Sequence, residues 1–485
     1  MILSVIGHKF RFETENVLRI FFPLEKITYT EEIPDTSDDY ILTYSKDGII
    51  GCEVCFNGRK EKSEQTIENK TDKEAELILA QLLYGILTKM TGIIPAWGVL
   101  TGIRPSKLLR NLSAETNMAD ALDFFKNELY VSDKKTDLTL AVANAEERII
   151  SLSENNSYSL YVSIPFCPTR CSYCSFVSHS IAQAKKLIPD YIRLLCKELE
   201  YIAKIATDLG LKLETIYFGG GTPTSLDEES LLILTDAVRN NFDVSSVREY
   251  TIEAGRPDTL NAEKLNIMKK AGVSRISINP QTFNAEVLEN IGRKHSPEMT
   301  VKAFGMARNA GFDNINMDFI AGLPGDTFES FSASIGKALE LSPENITIHT
   351  LALKRAANIV TKGQTDSVYR ETTKMIDYSA SALYENGYFP YYMYRQSKTV
   401  GNNENVGWSR QGRECLYNIY MMEEIHTVLA AGGGAVTKLK SPFDKRVDRI
   451  FNFKYPYEYI SRFEEQLQRK NYVYDFYNLV ISDEN

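Results

Sequence analysis

The chain has 485 residues, with 55 Lys and Arg against 64 Asp and Glu and a formal net charge of -9, so no basic excess is available to displace counterions from a phosphate backbone and nucleic acid is not expected as a partner. Hydrophobic residues at 43% and charged residues at 25% are ordinary for a globular chain of two or three domains with a sizeable core. No apolar run approaches the ~18 residues of a membrane span, and the opening MILSVIGHKFRFETEN is not laid out as a signal peptide.

Seven cysteines, an odd number in a large chain, predict a reducing cytoplasmic setting in which thiols serve metal rather than disulfides. Residues 1–150 read as a separate α+β domain of unknown role. Ile2 to Phe22 alternates in places, with Lys9, Arg11 and Glu13 set against Phe10 and Phe12, the period of a strand. Tyr40 to Phe56 reads as a hairpin turning at Lys46-Asp47-Gly48. A helix follows from Lys73 to Met90, with Leu79, Leu82, Leu83 and Ile86 on its apolar side. Beyond GVLTGIRPSKLLRNL, further helices are expected near Asp120–Leu129 and Asp137–Ile150, and Ser151 to Ser157 reads as a linker. Cys52 and Cys55 lie three apart on a predicted strand, which points them to opposite faces and gives them structural roles.

From Tyr158 the period changes. Predicted strands at Leu160–Ile164, Thr215–Phe218, Tyr250–Glu253, Ser274–Asn279, Ile315–Ile320 and Ile346–Leu351 alternate with helices at Ile181–Leu209, Asp227–Asn240, Ala262–Ala271, Ser296–Ala310 and Thr327–Leu341. Six βα units in series imply a parallel sheet closed as a partial (β/α)6 barrel over residues 151–360. In such folds chemistry sits at the carboxyl ends of the strands. Cys167, Gly219-Gly220-Gly221-Thr222, Glu253, Gln281, Asp318 and His349 all fall there. Residues 361–485 read as a mostly helical, aromatic extension, including YFPYYMY, that covers the open side of the barrel and shapes a substrate pocket.

The stretch YVSIPFCPTRCSYCSF places Cys167, Cys171 and Cys174 at C-x3-C-x2-C spacing after the first barrel strand. Three thiolates on one loop can wrap one face of an iron-sulfur cube and leave the fourth iron open, where the amine and carboxylate of S-adenosylmethionine (SAM) can chelate it. A zinc site is the competing reading. It would need a further ligand, for which His179 is the nearby candidate.

From Gly98 to Lys438 the chain resembles the oxygen-independent coproporphyrinogen III oxidase family of radical SAM proteins, and above all its HemZ-type branch. The likeness rests on IPFCPTRCSYCSF, YFGGGTPTSL, TIEAGRPDTL, INPQTF, IGRKHS, MDFIAGLPGDT and the GWSR, CLYN and GGGA tail. It implies a [4Fe-4S] cluster on the three cysteines. It also implies SAM held by Tyr161, Phe176, Gly220, Gly221, Thr222, Glu253, Gln281, Arg293 and Asp318. The activity implied is oxidative decarboxylation of coproporphyrinogen III propionates to protoporphyrinogen IX in haem biosynthesis, with electrons from a flavodoxin or ferredoxin.

The chain departs from the oxidases at Phe176, where they carry a fourth cysteine, and at Ala254-Gly255-Arg256, where they have an acid followed by Pro. Both departures resemble the haem-chaperone branch of the family. That branch's HNxxYW motif is replaced here by Tyr417-Asn418-Ile419-Tyr420-Met421-Met422. The resemblance therefore also leaves room for a haem-binding protein, or for a radical methyltransferase that opens the haem ring. Arg256, Lys354, Arg355 and His349 near the strand ends are candidates for meeting substrate, with solvated charge as the plainer reading of the three cations.

Overall fold

The structure is a computed structural model and describes residues 1–23, 25–33, 39–174, 179–352, 365–396 and 399–482. The chain divides into two compact units, one built from Met1–Ala143 with Met393–Glu404, the other beginning at Asn144 and containing the cysteine loop.

In the first unit a five-stranded sheet runs in the order Thr28–Thr30, Ile2–Ile6, Tyr40–Lys46, Ile49–Phe56, Arg59–Thr66. The expected hairpin forms in the expected register, Lys46 opposite Ile49. Its turn uses left-handed backbone at Asp47 and Gly48 (φ 50° and 76°), the geometry that suits the twist of a two-residue hairpin. Helix Asp72–Thr91 starts at a capping box in which Thr71 and Glu74 satisfy each other's backbone amides, and it stops at Gly92 with φ 71°. Its Leu79, Leu83 and Leu87 join Leu3, Val5, Ile41 and Ile50 in one core.

One expectation fails here. Arg11–Phe21 is a helix, with Thr14, Val17, Leu18 and Phe21 buried, so a helical period over eleven residues overrides the short alternation around Phe10 and Phe12. Cys52 lies buried in this core, and burial pushes its thiol up to about 12.

In the second unit the six barrel strands are Ser157–Ile164, Lys212–Gly220, Glu249–Glu253, Arg275–Ser277, Ile315–Ala321 and Asn345–Thr350. Each pairs in parallel with the next. Intervening helices are Ile188–Asp208, Glu228–Asn241, Ala262–Lys270, Pro297–Asn309 and Phe328–Leu341, and the last four are N-capped by Asp227, Asn261, Ser296 and Thr327. The predicted helix from Ile181 is split, Ile181–Ala184 and then Ile188–Asp208, because Pro189 fits only a first turn.

Alternate residues of these strands separate by chemistry. Leu160, Val162, Ile216, Phe218, Ile252, Ile276, Met317 and Ile346 are fully buried on one side, each worth about 1.5–3 kcal/mol of burial. The other side carries Ser159, Tyr161, Tyr217, Glu253, Ser277, Asp318 and His349.

The C-terminal extension is more than helices. Beside Thr365–Glu385, Leu416–Glu423, Pro456–Ser461, Phe463–Lys470 and Tyr472–Ser482 it supplies strands to both edges of the barrel sheet. Thr427–Ala431 lies parallel to the first barrel strand, and Glu404–Ser409 antiparallel to the sixth. The sheet thereby reaches eleven strands among the described residues.

Candidate active site at the carboxyl ends of the strands

Tyr161 and Tyr217 are register partners on the first two barrel strands. Their rings stack with centroids 6.3 Å apart, and Tyr417 of the extension lies on Tyr217 at 4.3 Å. The Tyr217 hydroxyl donates to Glu253 Oε1 at 2.6 Å. Burial, reinforced by the Asp318 carboxylate and opposed by that hydrogen bond, pushes the Glu253 carboxyl up to about 7.

Asp318 goes the other way. Burial would raise it, but His349 (3.9 Å to its carboxylate), the Asn316 amide (2.7 Å) and Thr347 outweigh burial and hold it below the usual range. Two carboxyls at one sheet end are thus set apart in proton affinity. Such a pair is suited to holding a ligand that carries both cationic and hydroxyl donors.

The glycine loop after the second strand is tied to the cysteine loop by backbone. Gly221 N–H donates to Ile164 O (2.8 Å) and Thr222 N–H to Phe166 O (2.7 Å). Gly220 has φ 103°, and a Cβ on Gly221 would stand 2.5 Å from Phe166 O, so only glycine permits this approach. Thr222 Oγ1 then sits 3.5 Å from Cys167 Sγ.

Gln281 adopts φ 68°, rare and strained for a side chain of this size. It is locked there because its N–H donates to Asp318 O (2.9 Å) and its carbonyl accepts from Ile320 N–H (3.1 Å). Its Oε1 is buried with no hydrogen-bond partner. Arg293 donates to the carbonyls of Asn279 (2.6 Å) and Gly255 (3.1 Å) and, through Nε, to the Tyr173 hydroxyl (3.1 Å). Tyr173 stands between Cys171 and Cys174, so Arg293 joins the cysteine loop to the strand ends.

The structure therefore places Tyr161, Gly220, Gly221, Thr222, Glu253, Gln281, Arg293 and Asp318 at the strand ends, linked through these contacts. Phe176, Lys354 and Arg355 lie outside the described residues. Arg256 is not a solvated cation: it is 2% exposed, held by both Asp258 oxygens at 2.9 Å and donating to Thr169 Oγ1 at 3.0 Å. Asp258, two residues on, closes that turn and takes the charge. Tyr217 and Tyr173 carry no expectation from the sequence, and Tyr417 only that of standing where the haem-chaperone branch has the His of its HNxxYW motif. Tyr217 shares the side of Gly219 at i and i+2, a signal that alternation supplies, whereas nothing local predicts that Tyr417 stacks on Tyr217.

The cysteine loop carries three thiols, none of them in a disulfide and each half-buried. Among the described residues no group of three or more His, Cys, Asp or Glu side chains stands at metal-binding spacing, so the fit to a cluster rests on donor chemistry. Three thiols on one loop suit an iron-sulfur cluster with an open iron. The unpartnered Gln281 oxygen and the raised Glu253 carboxyl, both at the strand ends, suit a polar ligand beside it.

A sequence profile described as the Radical SAM superfamily matches residues 161–338. The chain is 35% identical over 469 residues, 94% of each chain, to the oxygen-independent coproporphyrinogen-III oxidase-like protein HemZ of Bacillus subtilis. It is 34% identical over 310 residues to the heme chaperone HemW of the same organism, spanning 62% of this chain and 77% of that one. The solved structure of the Escherichia coli coproporphyrinogen III oxidase HemN, a radical SAM enzyme, shares the fold with a TM-score of 0.51 and 22% identity, covering 67% of this chain and 73% of that one. This protein belongs to the radical SAM superfamily, in the family of oxygen-independent coproporphyrinogen III oxidase-like and HemW proteins, and its cofactors are a [4Fe-4S] cluster and SAM.

Proposed function

We propose that this protein is a radical SAM enzyme that oxidatively decarboxylates porphyrinogen propionates, converting coproporphyrinogen III towards protoporphyrinogen IX. The observation that carries the reading is the joined set at the strand ends. Tyr217 holds Glu253, Gln281 is locked in a strained conformation onto Asp318, and Arg293 clasps the cysteine loop. Identity to HemZ over almost the whole length supports the same substrate class.

Cys167, Cys171 and Cys174 would hold the cluster. Tyr161, Phe176, Gly220, Gly221, Thr222, Glu253, Gln281, Arg293 and Asp318 would hold SAM. When bound and reduced, these groups supply a 5'-deoxyadenosyl radical able to take hydrogen from an unactivated carbon. The chain's own part is placement. Gly220 and Gly221 allow backbone to approach the ligand, and ionised Asp318 offers a fixed acceptor. A cationic group docking against Glu253 would favour its ionised form, and the Tyr161, Tyr217 and Tyr417 rings exclude water. Because Tyr417 comes from the extension, residues 361–485 are proposed as the substrate-covering region, and residues 1–150 as a domain of separate role.

The test is anaerobic turnover of the cluster-loaded protein with reductant, SAM and coproporphyrinogen III, followed by mass spectrometry. 5'-Deoxyadenosine and protoporphyrinogen should appear together, and both should vanish in Cys171→Ala. Tight haem binding with no deoxyadenosine would instead favour a HemW-like role, the reading to which the identity with the B. subtilis chaperone lends weight.

A further inference from the structure

An acidic chain has a basic rim around its cysteine loop. No Asp or Glu occurs between Glu154 and Asp190, a stretch that contains all three loop cysteines and the cations Arg170, Lys185 and Lys186. Asp190, where acids resume, is taken by Arg193 at 2.9 Å.

Two further lysines are brought to the same loop by tertiary contacts. Thr169 Oγ1 donates to Gly292 O (3.1 Å) and Ser172 N–H to Ile291 O (3.1 Å), which ties the segment that carries Lys294 to the loop that carries Arg170. Strand residues Phe166 and Cys167 pair with His179 and Ser180. The Tyr455 ring packs edge-on against His179 (6.0 Å), and Lys454 lies over that ring. Helix Ile181–Ala184 follows His179-Ser180 directly and delivers Lys185 and Lys186.

Arg170, Lys185, Lys186, Lys294 and Lys454 are all exposed, and the salt-bridge pattern of the described residues gives none of them an acidic partner. The acids nearest in sequence to Lys294 and Lys454, namely Glu298 and Glu458, do not pair with them. Many of the protein's other surface cations are paired within their own helix or hairpin, as in Lys70–Glu74, Lys204–Asp208 and Lys337–Glu340. A chain with a net charge of -9 thus keeps five unpaired cations around the loop assigned to its redox centre.

We infer that this rim is the docking surface for a small acidic one-electron carrier protein, and the inference rests on the cluster-bearing reading of the loop. The carrier, a reduced flavodoxin-type protein, loses one electron and passes from hydroquinone to semiquinone. The cluster gains that electron, and no covalent bond is made or broken. Charge complementarity of this kind raises encounter rate and fixes orientation, and weak, small interfaces suit carriers that must leave after one electron. An exposed, hydrated rim attracts the carrier at long range and loses its pull as salt screens it.

The test uses a purified flavodoxin and two double variants of the full chain, Lys185→Glu with Lys186→Glu and Lys294→Glu with Lys454→Glu. A control variant, Lys270→Glu with Lys302→Glu, alters exposed cations on other helices. Flavodoxin binding to the cluster-free protein, followed by nuclear magnetic resonance titration, should weaken roughly tenfold or more in each rim variant and stay unchanged in the control. Binding to the unaltered protein should fall steeply between about 0.05 and 0.3 M salt.

In the loaded protein, dithionite-driven SAM cleavage should be equal in all variants while flavodoxin-driven cleavage drops in the rim variants alone. Equal flavodoxin binding across rim and control variants, or no flavodoxin binding to the unaltered protein, would overturn the inference and leave the radical reading intact. Failure of dithionite itself to drive SAM cleavage in the unaltered, loaded protein would overturn both.

Discussion

Glu253 is the residue on which the electrostatics of the site turn. Its carboxyl is raised from an ordinary 4.5 to about 7 by burial and by Asp318. A raised carboxyl favours the fold while protonated, so the ligand-free protein loses stability as pH climbs from 4.5 to about 7. At roughly 1.4 kcal/mol for each pKa unit, the full loss is about 3 kcal/mol. Glu253→Gln should remove it: in urea titrations of the ligand-free protein the variant should be more stable than the parent at pH 8 and indistinguishable near pH 4.5. If Glu253 holds SAM as proposed, the same variant binds SAM more weakly at pH 8.

Gln281 offers a second division of stability from function. Gln281→Gly relieves a φ of 68° and should stabilise the fold by about 1 kcal/mol. It also deletes the unpartnered Oε1, so SAM affinity measured by calorimetry should fall. A gain in stability together with unchanged affinity would make the strain merely structural.

At the scale of elements, several backbone and side-chain tethers hold the cysteine loop against the sheet. One is the glycine loop. Gly221→Ala would drive a Cβ to 2.5 Å from Phe166 O and 2.8 Å from Ile164 O, and neither backbone atom can yield without moving the residue before Cys167. Reconstituted iron content should drop well below that of the parent while circular dichroism stays native.

A buried network also ties the extension to the first barrel strand and to the helix Ile188–Asp208. Glu198, fully buried, accepts from Gly432 N–H (2.8 Å), Asn452 (2.8 Å) and Tyr459 (2.7 Å). Lys470, 1% exposed, faces it at 3.3 Å. The adjacent Gly433 carbonyl accepts from Ser163 on the first barrel strand (2.8 Å). Lys470→Met leaves Glu198 buried without its cation and should cost about 3–5 kcal/mol by urea unfolding, most of it recovered in the double variant with Glu198→Gln.

The elements also show what a sequence can and cannot disclose. Parallel strands flanked by capped helices announce themselves through short apolar runs, and the residues at their carboxyl ends, Glu253, Gln281 and Asp318, could be placed by counting from those runs. Arg11–Phe21 departs from its expected strand because five residues of alternation look the same at the start of an amphipathic helix as in a strand. The strands of the extension were missed for a different reason. Thr427–Ala431 is a short apolar segment whose state is decided by pairing with Ser157–Ile164, far away in sequence. The same long-range pairing brings up Tyr417, so its place on Tyr217 has no local signature. Arg256 looked like surface charge because its burial depends on Asp258 and Thr169 together.

For the molecule as a whole, the central claim is that the strand ends and cysteine loop form one radical site acting on a propionate side chain. Family membership and cofactors follow from the likeness to HemZ, HemW and HemN, whereas the reacting carbon is the proposal. The most direct measurement is anaerobic turnover with coproporphyrinogen III deuterated at the propionate β-carbons, reading isotope in the 5'-deoxyadenosine product. One deuterium should be carried into deoxyadenosine for each carbon dioxide released. Deoxyadenosine formed without deuterium would contradict it, placing the hydrogen abstracted elsewhere than on that carbon.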